Sequence, residues 1–187
     1  VLLICAPFVE ELAGGHLILS DLFSLVLLAA VVAVANRKRT LAIALVLAVP
    51  AIIARWVSYF RPDLLHPAVF LVCALLLLAF VIGHLLQFIL RAPVVTMEVL
   101  CASVAAYLML GLMWSTAYWL VDQVTPGGAF SFNTGGGGQS MNGFNGIYFS
   151  FITLSTVGYG DITPVSRAAR WLVAMEAMTG LLYVAVL

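Results

Sequence analysis

Long apolar stretches dominate the chain, and none alternates with a period of two. Uncharged runs extend over Leu22–Asn36, Thr40–Ala54, Leu64–Leu90 and Val99–Val121. A helix that crosses a bilayer needs about 20 largely apolar residues, and within hydrocarbon only helices or closed barrels satisfy every backbone group. Continuous Leu/Ala/Val runs lack the dyad pattern of a barrel strand, so helices are predicted. The first two runs reach spanning length when extended to His16 and Val57. That extension places Asp21 and Arg55 near helix ends, where polar groups reach the headgroups. Six spans are predicted: a stub at 1–9, then 16–36, 40–57, 66–90, 96–122 and 166–187. A shorter segment at 143–160 enters the membrane and turns back before the last span. Its helix is expected at 145–155, after a Gly143-Phe144 turn. The fold class expected is therefore an all-α membrane protein. The chain starts without Met and stops inside its last apolar run, so both ends read as cut from a longer polypeptide.

Composition agrees with that class. Hydrophobic residues make up 64% and charged residues 9%, against about 45–50% and about 25% in ordinary soluble domains. A formal net charge of zero offers no basic surface, and no nucleic-acid partner is expected. Cys5, Cys73 and Cys101 lie scattered in apolar runs and read as small packing residues. His16, His66 and His84 have no metal-ligand spacing. Glu10-Glu11 reads as part of a solvated outer loop.

Thr153-Leu154-Ser155-Thr156-Val157-Gly158-Tyr159-Gly160-Asp161 does not fit the apolar pattern. Gly158 and Gly160 can reach backbone angles closed to residues with a Cβ. Alternating them with Val157 and Tyr159 lets successive carbonyls point the same way, and Thr156 adds a hydroxyl oxygen below them. Such a strand can replace the water around a cation only if several copies meet. Thr156 to Asp161 resembles the potassium channel pore family, whose filters carry Thr-Val-Gly-Tyr-Gly.

The resemblance implies a tetrameric pore in which Thr156, Val157, Gly158, Tyr159 and Gly160 form a selectivity filter, with K+ bound through the first four. It covers 94–187, where outer helix, polar turret, pore helix, filter and inner helix follow in the family's order. Residues 1–93 form a separate set of spans with no recognised motif. Such filters lie toward the extracellular side, which by parity puts Arg37, Lys38, Arg39 and Arg91 in the cytoplasm. Phe144, Tyr148, Phe149 and Phe151 supply an aromatic cuff around the filter. Ser155 and Asp161 flank and support it. Many family members have a Glu on the pore helix paired with that Asp; Ile152 stands at the matching position here, so Asp161 needs a backbone amide or water instead. Ser166 can cap the last helix. Arg170, with Arg167, either bridges to a carboxylate at the filter mouth or extends to the headgroups.

Glu176 is a carboxylate in mid-membrane, which marks a functional position by default. Two placements are open to it. It faces the cavity, where four carboxylates would concentrate cations, or it sits behind the filter and bonds to the pore helix, in space left by Ile152. Gly180, in the middle of the inner helix, reads as a gating hinge or as a small residue needed for close helix contact.

Gly135–Gly138 within 122–142 reads as a flexible turret, and no P-loop order surrounds it. The span 66–90 contains no Arg or Lys, against the repeated charges that voltage sensing requires. The expected function is passive, K+-selective conduction by a homotetramer in the plasma membrane. K+ is the permeant ion, lipid and identical subunits are the partners, and no cofactor is expected. The rivals are a subunit of a channel-like K+ uptake transporter, which would usually put four degenerate filters in one chain, and a non-conducting sensor or scaffold. A membrane enzyme is disfavoured, because no His-Glu-x-x-His, paired intramembrane aspartates or nucleophile elbow is present.

Overall fold

A computed structural model describes residues 25, 42, 44–53, 67–133 and 140–186. The predicted spans 1–9 and 16–36, the basic loop 36–40 and the glycine run lie outside these residues, apart from Leu25. Of the predicted span 40–57, an apolar helix α1 is described over Ala44–Ile53, with Ala44, Ala48 and Ala51 buried at i, i+4, i+7. Helix α2 covers Pro67–Leu90 and buries a stripe that includes Leu71, Ala74, Leu78 and Val81. It ends where Ala92 N–H folds back onto the Ile89 carbonyl at 3.2 Å, one residue before Pro93. Helix α3, Met97–Val124, starts on Thr96, whose hydroxyl accepts from Val99 N–H at 3.4 Å.

The described residues fall into two compact units, divided inside α3 between Met113 and Trp114. The second unit carries the motif. After α3 come strand β1 (Phe130–Phe132), the short helix α4 (Gly143–Leu154), strand β2 (Ile162–Pro164) and helix α5 (Arg167–Val186). Among the described residues α2, α3 and α5 are long and apolar enough to cross a membrane. The described chain is thus mostly helical, as expected, and the bounds of α2, α3, α4 and α5 lie within about two residues of those predicted. One difference is the antiparallel pair β1–β2, with Phe130 opposite Pro164 and Phe132 opposite Ile162. Three-residue strands are too short to show a period in sequence. Pro164, lacking an N–H, is tolerated at the end of the ladder.

Helix α4 begins two residues earlier than predicted. Asn142 has extended backbone angles (φ −81°, ψ 163°), but its side chain makes no cap bond and accepts instead from the Ser140 hydroxyl at 2.7 Å. The core of this unit gathers Tyr118, Phe130, Met141, Phe149, Ile162 and Ala169. The rings of Tyr118, Phe130 and Phe149 meet edge to face, with centroids 5.2–5.4 Å apart. Such pairs add about 0.5–1.5 kcal/mol each beyond area burial. They join α3, β1 and α4.

Candidate functional site

The segment 156–160 hangs between two anchors. At its start, α4 ends and Ser155 N–H donates to the Phe151 carbonyl at 3.0 Å, while its hydroxyl donates to the same oxygen at 2.6 Å. Thr156 N–H donates to the Thr153 carbonyl at 2.9 Å. Val157 and Gly158 N–H groups both donate to the Ile152 carbonyl, at 2.8 and 3.1 Å. These bonds occupy carbonyls that the last turn of a helix leaves open. At the far end, Asn133 N–H donates to the Asp161 carbonyl and Asn133 Nδ2 donates to the Gly160 carbonyl, both at 2.8 Å.

Between the anchors the backbone alternates in hand. Thr156, Gly158 and Gly160 have φ of 60°, 53° and 79°, and Val157 and Tyr159 between them do not. A chain that alternates left- and right-handed residues turns its peptide planes in one sense, so successive carbonyls align rather than oppose. Gly158 and Gly160 adopt these angles freely. Thr156 does not, since a β-branched residue at positive φ is strained, and the bonds to α4 on either side hold it there. Residues 156–160 are all exposed, with Val157 at 53% and Tyr159 at 72%.

Asp161 is half-buried. Its Oδ1 has no hydrogen-bond partner among the described residues, and the Tyr148 hydroxyl sits beside the carboxylate. Arg170 is exposed and its Nε donates to the Pro164 carbonyl at 3.3 Å, so it steadies the strand after the motif. Ser166 caps α5, its hydroxyl accepting from Ala169 N–H at 3.1 Å. The aromatic set expected as a cuff divides. Phe149 packs in the core with Tyr118 and Phe130, whereas Phe144 and Tyr148 stack on each other at 5.8 Å.

Glu176 is fully buried. Its Oε2 accepts from the Tyr118 hydroxyl of α3, and its Oε1 accepts from the Ser150 hydroxyl of α4 at 2.5 Å. The side chain points into the unit, against the short helix, and not to the surface of the chain. One turn further along α5, Gly180 is also buried. A Cβ there would collide with the Leu154 carbonyl at the end of α4. The small-residue requirement at Gly180 is therefore steric.

Four participating residues escape a reading of sequence alone. Tyr118 and Ser150 are among several hydroxyls on neighbouring helices, and a buried carboxylate signals only that some donors must exist. Asn133 precedes the glycine run and gives no hint of its reach to Gly160. Asp122 accepts from Ala129 N–H at 2.8 Å through Oδ1 and from Met141 N–H at 3.2 Å through Oδ2. It thereby ties together both ends of the loop that joins α3 to α4.

A family model described as "ion channel" matches residues 94–187, half of the chain. The match takes in α3, the anchored segment and α5. No curated protein and no solved structure matches the sequence. Two membrane-length helices thus flank a short helix and an exposed, hand-alternating loop, and the chain belongs to the ion channel family.

Proposed function

We propose that four copies of this chain form a potassium-selective channel, with Thr156, Val157, Gly158, Tyr159 and Gly160 of each lining one side of a common ion path. The observation that carries this reading is the alternation of φ across a Thr-Val-Gly-Tyr-Gly segment left exposed in the single chain. Carbonyl oxygens of Thr156 to Tyr159 stand in for the hydration shell of K+, and close spacing of sites eases exit by repulsion between ions. Transport is passive, so the protein performs no covalent chemistry and holds no cofactor. Ser155, Asp161 and Arg170 steady the segment's two ends. Gly180 is the point at which α5 bends for gating, its close contact with Leu154 being made or broken in the process. The filter lies toward the extracellular side of the plasma membrane.

Purified protein in liposomes loaded with K+ tests this. Rb+ uptake against the outward K+ gradient is expected, with Na+ uptake slower by two orders of magnitude or about that. Gly158→Ala should cut Rb+ uptake about tenfold or more, because a methyl group disfavours φ of +53°. Equal Rb+ and Na+ uptake would refute potassium selectivity. Absence of any uptake would leave a non-conducting sensor as the better account.

A further inference from the structure

Glu176 sits where three helices of one chain come together. Tyr118 of α3 and Ser150 of α4 each give one hydroxyl proton to one oxygen of its carboxyl group, and all three side chains are fully buried at 0% exposure. A buried carboxyl with an oxygen left unpaired costs several kcal/mol, so each donor is structurally demanded. The contact also has a register. On α5 the positions are Glu176 and Gly180, and on α4 they are Ser150 and Leu154, each pair one turn apart. Glu176 bonds Ser150, and Gly180 lies against the Leu154 carbonyl. The carbonyl of Ile152, within the same turn of α4, is the one that accepts Val157 and Gly158 N–H.

We propose that Tyr118, Ser150 and Glu176 form a polar lock that positions the ion-coordinating segment by fixing the C-terminal turn of α4 against α5. The lock's effect on ion selection rests on the channel reading given above; its mechanical part does not. Freeing Ser150 from Glu176 lets the last turn of α4 shift or rotate on α5. The Ile152 carbonyl moves with it, and the amides of Val157 and Gly158 lose the fixed acceptor that sets their peptide planes. Tyr118 holds the other carboxyl oxygen of Glu176, so losing either hydroxyl leaves one end of the carboxyl free to swing. These are positioning residues, and the bonds that make the lock run between Tyr118, Ser150 and Glu176. They act on ion selection through the backbone of α4 and not through the field of an open carboxylate ring, since Glu176 is closed off from the surface.

The test uses the full chain in lipid nanodiscs and liposomes, with Ser150→Ala, Tyr118→Phe and the milder Glu176→Gln. Hydrogen exchange reads the lock without any need for conduction. Amides of 155–161 should exchange about tenfold faster in Ser150→Ala and in Tyr118→Phe, with α2 amides unchanged. In a conducting protein, the same two variants should lower the K+ over Na+ permeability ratio about tenfold, and Glu176→Gln should fall between them and the parent. The double variant Ser150→Ala/Tyr118→Phe should lose little more than either single one, because both act through one carboxyl group. Unchanged exchange at 155–161 in folded variants overturns the lock. Faster exchange with an unaltered permeability ratio overturns its role in ion selection. If the parent protein conducts nothing while the variants still exchange faster, the channel reading falls and the lock stands.

Discussion

Gly180 shows how little freedom one position can have. The space that a methyl group would take is already occupied by the Leu154 carbonyl, backbone that cannot move aside as a side-chain tip could. Gly180→Ala must push α5 off α4 or displace the end of the short helix. Overpacking of this kind costs about 1–3 kcal/mol. A lowered denaturation midpoint of the protein in detergent is expected, together with a changed open probability in single-channel records. A midpoint equal to the parent's would mean that the close approach is absent in the folded protein. Thr156 carries the opposite lesson. Its neighbours Gly158 and Gly160 could be read in the sequence as residues for left-handed backbone, but a β-branched residue at φ 60° could not. Only the bonds that fix it from α4 account for it, and those depend on where Ile152 and Thr153 end up in three dimensions.

Helices α2, α3, α4 and α5 were legible because each is a sustained apolar run with polar or proline boundaries. The bounds of α4 were less so: Gly143-Phe144 reads as a turn ahead of the helix, but both residues belong to its first turn, which starts at Gly143. The pairing of β1 with β2 was invisible, since it joins stretches some thirty residues apart in sequence. The first of these strands is tied to the end of α3. Asp122 holds Ala129 and Met141 together, which fixes the start of Phe130–Phe132 at the end of α3. Hydrogen bonds to a charged acceptor contribute about 1.5–3 kcal/mol each. Asp122→Ala should therefore speed amide exchange at Ala129 and Met141 about tenfold or more. Unaltered protection at both amides would show that the strands alone close the loop.

The proposed assembly bears on the faces that one chain leaves uncovered. Val157 and Tyr159 face outward, as do Trp171, Met175, Leu181 and Leu182 of α5. A motif read as one quarter of an ion path requires identical neighbours on these faces, and native mass spectrometry of the detergent-solubilised protein should find four chains. On that proposal, ions held between the chains would stabilise the assembly by linkage, by about 2.7 kcal/mol at a hundredfold excess over the dissociation constant. Replacing K+ with Na+ should accordingly lower the dissociation temperature of the tetramer, and equal temperatures in the two salts would argue against K+ sites at the interface. The motif and the class of membrane protein were readable from composition and a few residues. The partners of Glu176 were not, because contacts between helices depend on rotation about their axes, which an all-round apolar sequence leaves open. The Asp122 tie also has a practical use. Both stems of the loop meet at a single carboxylate, and Asn133 grips Gly160 from the near stem, so residues 134–139 can be lengthened at small entropic cost. On the channel reading proposed above, a fluorophore tag or nanobody epitope spliced in there would leave the bonds of Asn133 and Asp122 in place.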